Sequence, residues 1–267
     1  MNVIMVVLDG LNYQTATQTL GHLQACCDAR LGCLYAVRCE LPALSRPLYE
    51  CLLTGVKPLD SGIVNNRITR QSKEQSVFHY ARLAGLTTAA AAYHWVSELY
   101  NQSPFSPARD RHTQNPALAI QYGHFYYQDD YPDSHLFADA ESLRRRHQPH
   151  FLLIHSMNID DIGHQHGQNS QAYRNAARRA DNLLSDYLPG WLADGYQVIV
   201  TADHGMNDDG DHCCGSDAET LVPLYVLGEG FSLDDAQVKQ TDICGTVCQL
   251  LGVAHDKPYC AALLKGG

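Results

Sequence analysis

Short apolar runs punctuate this chain, and several stop abruptly at residues that carry charge. The clearest is Val198-Ile199-Val200-Thr201-Ala202, which runs directly into Asp203-His204-Gly205-Met206. Such a run of β-branched residues reads as a buried parallel strand that presents polar groups at its C-terminal end. In open α/β sheets that end is where ligands bind. The pattern recurs. Residues 3–8 close on Asp9-Gly10, and residues 151–157 run into Asn158-Ile159-Asp160-Asp161-Ile162-Gly163-His164-Gln165-His166. Further strands are predicted over 33–38, 86–93 and 221–227. Helices are predicted over 12–30, 76–84, 135–147, 170–194 and 241–251. Periodicity is lost from Trp95 to about Asp133, a stretch broken by Pro104, Pro107, Pro116 and Pro132 and rich in Tyr, His and Asp. A loop this long is functional or disordered, and its aromatics argue against disorder. It reads as an insertion over 95–133 that covers a site and sets specificity, with a structural excursion or an oligomer contact as the alternative.

The strand ends set the chemistry. An Asp closing an apolar strand is a poor core residue, because burying an unpaired carboxylate is costly. Asp9 therefore reads as a metal ligand or as a cap on the next helix. Asp203 and His204 form an oxygen–nitrogen ligand pair, and Asp160 and His164, four apart, sit on one turn. The doubled residues Asp161 and His166 leave the choice of ligand there open. Ser45 stands where a helix should start, with Pro47 in its first turn and Gly55 as its stop. A Ser in that position can cap the helix. It can also be a nucleophile whose attacked phosphate rests on free backbone N–H groups and the helix dipole. Asn66 ends the Gly/Pro loop of 55–66 as a neutral amide donor or a turn residue.

Composition narrows the picture. The 267 residues suit one α/β domain spanning 1–267, with the 95–133 insertion within it. The net charge of -10 argues against a phosphate-backbone binder, so no nucleic acid polymer is expected as a partner. No run approaches the ~18 apolar residues needed to span a bilayer, and no membrane partner is expected. Residues 1–8 lack a basic region and a cleavage site and read as a first strand, so a cytoplasmic location is expected. The ten Cys include no CxxC pair and are expected to be reduced core residues.

Taken together and in order, these pieces resemble the alkaline phosphatase superfamily, most closely its nucleotide pyrophosphatase/phosphodiesterase branch. The matching residues are Asp9-Gly10, Ser45 nine residues before Thr54-Gly55, Pro58 with Gly62-Ile63, and Asn66. They continue with Asp160 and Gly163-His164, Asp203-His204-Gly205-Met206, His212, and Val222-Pro223-Leu224. The resemblance implies an alkaline-phosphatase-like α/β sandwich: a mostly parallel central sheet, helices on both faces and a small inserted cap. It implies two divalent metal ions, zinc first with manganese or iron possible. Asp9, Ser45, Asp203 and His204 would hold one, and Asp160, His164 and His212 the other. It favours Asp160 over Asp161, and leaves Asp161, His155 and His166 as supporting residues. Ser45 would form a phosphoseryl intermediate. Asn66 and the Ser45 N–H would take the equatorial oxygens; Arg46, from its place directly after Ser45, reads as a substrate contact or as a surface residue. The implied activity is hydrolysis of a small phosphodiester, with phosphonates or phosphomonoesters as the alternative. Two departures stand out. The nucleophile is Ser where the branch mostly has Thr, and His212 is followed by Cys213-Cys214. A sulfatase is disfavoured because Tyr49 occupies the position of its motif Arg.

Overall fold

Every residue from Val3 to Leu8 is buried, and that burial puts the first strand at the centre of the molecule. The computed structural model describes residues 1–266. Its elements are, in chain order, β1 (Asn2–Leu8), α1 (Tyr13–Thr19), α2 (Gly21–Asp28), β2 (Gly32–Arg38), α3 (Ser45–Thr54), α4 (Pro58–Ser61) and α5 (Val77–Leu83). There follow β3 (Thr88–Tyr93), α6 (His94–Tyr100), α7 (Pro107–Asp110), β4 (His112–Gln114), β5 (Tyr122–Tyr126) and α8 (Asp133–His147). The chain closes with β6 (Phe151–Ser156), α9 (Asn158–His166), α10 (Gln171–Ala193), β7 (Tyr196–Thr201), α11 (Asp217–Thr220), β8 (Leu221–Leu227) and α12 (Asp242–Leu251).

The eight strands form one sheet in the order β2-β8-β7-β1-β6-β3-β5-β4. The inner run from β7 to β5 is parallel, and β8, β2 and β4 add antiparallel edges. This is the expected mostly parallel α/β sheet. On one side α10 packs on β7 and touches α1, α2, α8 and α9; on the other α12 packs on β1 and touches α3 and α5. A parallel sheet covered on both faces explains why β6 and β7 are buried at every position, and β1 at all but its first, rather than at alternate ones. Among the described residues no helix is long and apolar enough to cross a membrane.

Three predicted elements differ. The helix expected over 12–30 is two helices, α1 and α2, because the Asp181 carboxylate of α10 takes the His22 and Leu23 N–H groups at 2.7 and 3.2 Å and so starts α2 afresh. The stretch of 95–133 is not all loop. Its residues 122–126 form β5, which pairs parallel to β3 and extends the central sheet, with β4 folded back on it. The residues after β6 form a full helix, α9, which places Asp160 and His164 on one face.

Candidate active site

The carboxyl ends of β1, β6 and β7 lie side by side, since β1 pairs in parallel register with both neighbours. The chain therefore delivers Asp9, Asp160 and Asp203 to one place. Two glycines allow the approach. A Cβ on Gly10, whose φ is +73°, would lie 2.7 Å from the Asp160 carboxylate, and one on Gly163 would lie 2.8 Å from Met206. The Asp-Gly, Gly-His and Gly-Met pairs of the sequence are thus one packing arrangement. Ser45 is the first residue of α3, and its neighbour Leu44 is the cap, so Ser45 does not cap its own helix. The loop between β7 and α11 returns His212 to the same spot.

Four atoms meet at the first cluster. His204 Nε2 lies 3.1 Å from Ser45 Oγ, 3.3 Å from Asp203 Oδ2 and 3.5 Å from Asp9 Oδ1. His204 Nδ1 is 2.9 Å from the Gly205 carbonyl, which can only accept, so Nδ1 carries the hydrogen and Nε2 presents a lone pair. At the second cluster, His164 Nε2 lies 3.3 Å from Asp160 Oδ2 and 3.3 Å from His212 Nε2. Both rings are fixed in the same sense: His164 Nδ1 is 2.7 Å from the Gly210 carbonyl, and His212 Nδ1 is 2.5 Å from the Ala43 carbonyl. The His204 and His212 rings stack at 3.8 Å and join the two clusters.

All of these side chains are buried except His164, which stands at the mouth. Asp9 Oδ1, Asp160 Oδ1 and Asp203 Oδ2 are buried and have no hydrogen-bond partner. Burial, then Asp203 and Asp160, pushes Asp9 up to about 7. Burial, then Asp160, pushes Asp203 up to about 8. The hydrogen bond to Asp160 holds His164 up at about 9, while burial, then His204, lowers His212 to about 4. Unpaired carboxylate oxygens facing imidazole lone pairs repel one another unless a cation lies between them. The donor set fits divalent ions. Asp9, Asp203 and His204 form one group whose ligand atoms lie within 4.8 Å of one another, and Asp160, His204 and His212 form another. A backbone carbonyl behind each ring nitrogen is the support that ligating histidines use.

The other expected residues divide. Asn66 Oδ1 accepts the Arg46 N–H at 3.0 Å, which fixes the amide and leaves its NH₂ group as the free end. Arg46 turns inward, against the expectation of a substrate contact: it is 2% exposed, pairs with Glu98 at 2.7 Å and lies 4.6 Å over the Trp95 ring. Its charge is already used in the interior. Asp161 accepts from Gln165, and His166 is exposed, so both leave the site. His155 is buried and contacts Asp9 Oδ2 at 3.2 Å. Two residues escaped the sequence reading. Tyr49, one turn after Ser45 on α3, donates to Asp9 Oδ2; the i to i+4 spacing was its signal. Arg67 lines a cavity of about 600 Å³ with Leu44, Asn65, Asn66 and Ile68, next to the start of α3.

Known proteins resemble this chain in sequence and fold. Residues 3–215 match the family described as type I phosphodiesterase / nucleotide pyrophosphatase. Human GPI ethanolamine phosphate transferase 2, catalytic subunit, is 21% identical over 252 residues, covering 86% of this chain and 24% of the relative. Human GPI ethanolamine phosphate transferase 1 is 30% identical over 129 residues, covering 38% of this chain and 14% of the relative. The chain thus spans about a quarter or less of the length of these relatives. Among solved structures, human ectonucleotide pyrophosphatase / phosphodiesterase 5 superposes with a TM-score of 0.75 over 100% of both chains at 14% identity. The phosphonate monoester hydrolase of Silicibacter pomeroyi superposes with a TM-score of 0.64 over 97% of this chain and 75% of its own, at 15% identity. At such identities the likeness is one of fold.

Proposed function

We propose that this chain, which belongs to the type I phosphodiesterase / nucleotide pyrophosphatase family, hydrolyses phosphodiester bonds with Ser45 as nucleophile and two divalent metal ions, zinc first. The observation that carries the reading is the meeting of Ser45 Oγ, His204 Nε2, Asp203 Oδ2 and Asp9 Oδ1 at the start of α3.

Asp9, Asp203, His204 and Ser45 would hold one ion, and Asp160, His164 and His212 the other. Bound there, the ions would supply Lewis-acid charge that lowers the Ser45 pKa and offsets the charge on the oxygens of the phosphoryl group. The residues do the rest. Ser45 gives up its hydroxyl proton to water and its Oγ attacks phosphorus in line; the P–O bond on the opposite side breaks, and the alcohol or nucleotide leaves as its oxygen takes a proton from water. The free Asn66 amide and the Ser45 N–H hold the equatorial oxygens, reinforced by the positive end of α3. The Arg46 N–H is already given to Asn66, so its role is to aim that amide. Water then hydrolyses the phosphoserine.

With Arg46 held by Glu98, the cation left beside Asn66 is the exposed Arg67. A doubly charged phosphomonoester calls for more positive charge than this, which favours singly charged substrates, the diester or a phosphonate monoester, over a phosphomonoester. The transferase names of the curated relatives support a second reading, in which an alcohol replaces water as acceptor. A panel of bis-p-nitrophenyl phosphate, p-nitrophenyl phosphate and a p-nitrophenyl phosphonate tests the proposal. Wild-type protein loaded with zinc should turn over the diester fastest, and Ser45→Ala should lose on the order of 10³-fold or more while keeping its metal. Monoester preference moves the function to the alternative, and wild-type-like turnover by Ser45→Ala removes the mechanism.

A further inference from the structure

Four histidines face the three carboxylates, and one is built the other way round. His204, His164 and His212 each give their Nδ1 hydrogen to a backbone carbonyl and turn Nε2 towards the carboxylates. His155 lies on β6 opposite Val7 of β1, and it receives the Tyr93 N–H on Nδ1 at 3.4 Å. Its hydrogen is therefore on Nε2, which points at Asp9 Oδ2 at 3.2 Å. The same oxygen accepts the hydroxyl of Tyr49. The Tyr49 and His155 rings pack edge to face, 4.4 Å apart, and both side chains are buried. Asp9 Oδ2 is thus saturated from two sides, while Asp9 Oδ1 has no hydrogen-bond partner and faces His204.

We propose that Tyr49 and His155 are positioning residues that hold Asp9 as a one-oxygen ligand, aiming Oδ1 at the Ser45-side metal site and keeping Oδ2 out of it. The inference rests on the metal-site reading above. Turning the carboxylate so that both oxygens face the ion would break two hydrogen bonds in a dry interior. Tyr49 also lies one turn from Ser45 on α3, so a single helix carries both the attacking hydroxyl and half of the clamp. The clamp sets the distance between Ser45 and Asp9 by fixing the rotation of α3.

Metal titration of the apoprotein against a fluorescent zinc chelator tests this without recourse to turnover. Tyr49→Phe, which removes only the hydroxyl, should weaken one of the two zinc ions about 10- to 100-fold and leave the other within about threefold. His155→Leu should do the same. His155→Gln, whose amide can still donate to Asp9, should recover most of the loss. Circular dichroism of each metal-free variant confirms that it is folded, and Asp9→Asn serves as reference. If Asp9→Asn loses an ion while Tyr49→Phe and His155→Leu bind both at wild-type affinity, the clamp is wrong and the site stands. If Tyr49→Phe or His155→Leu weakens both ions equally, the two residues are merely structural and the clamp is again wrong. If Asp9→Asn itself binds two ions normally, the metal-site reading fails.

Discussion

His164 Nε2 and His212 Nε2 lie 3.3 Å apart, with the hydrogen of each ring committed on its far side to a backbone carbonyl. Two ring nitrogens at that distance share either a proton, which the Asp160 carboxylate also favours on His164, or a metal cation. On the proposed function it is the cation. His212→Ala should therefore bind one metal ion fewer per chain by elemental analysis, and stripping metal from the wild type should lower its melting temperature by several degrees. Unchanged stoichiometry in the variant would take His212 out of the site.

Asn66 has its carbonyl oxygen spent on the Arg46 N–H. Asn66→Asp keeps that acceptor and replaces the amide donor with negative charge. Its melting temperature should stay within a few degrees of wild type, while kcat falls by at least the roughly 10²- to 10³-fold that loss of one oxyanion donor costs. Asn66→Ala should lose activity and some stability together. Equal activity in Asn66→Asp and wild type would show that the amide does not touch the substrate.

Arg46 and Glu98 form an ion pair in which neither side chain is more than 5% exposed, and Glu98 also accepts the Phe105 N–H at 3.0 Å. Arg46→Met strands a buried carboxylate and should cost about 3–5 kcal/mol in chemical denaturation. Arg46→Met combined with Glu98→Leu removes both charges and should recover at least half of that. A double variant no more stable than Arg46→Met alone would contradict the pairing.

Much of this was legible from the chain. The strands that carry Asp9, Asp160 and Asp203 are apolar enough to read on their own, and a carboxylate at the end of such a strand calls for a partner. Asp160 and His164 share a helical spacing that names a common face. The environment of Arg46 was not legible: a charged residue beside a nucleophile looks like a substrate contact, and its partner Glu98 lies 52 positions away, in a stretch without periodicity. The same stretch hid β4 and β5, three and five residues long, behind prolines and polar aromatics. The break between α1 and α2 is imposed by Asp181 from another helix, which local propensity does not encode.

Asp133, at the start of α8, supplies the pH dependence. Burial raises its carboxyl to about 6, against the opposing Ser156 hydroxyl and Arg179. A carboxyl whose folded pKa lies above its unfolded value of 3.8 contributes stability below pH 3.8 that is lost as the pH rises through 6. Asp133→Asn keeps an acceptor for Ser156 and removes the buried charge. At fixed metal it should gain on the order of 1–2 kcal/mol at pH 8, with the gain shrinking towards pH 4. A variant less stable than wild type at pH 8 would show that the carboxylate is well solvated or paired.

The stereochemical course at phosphorus tests the central claim most directly. With a phosphorothioate diester of one configuration, cleaved in isotopically labelled water, attack by Ser45 followed by attack of water is two in-line displacements. Net retention of configuration is expected. Net inversion would mean that water attacks phosphorus directly and that Ser45 is not the nucleophile.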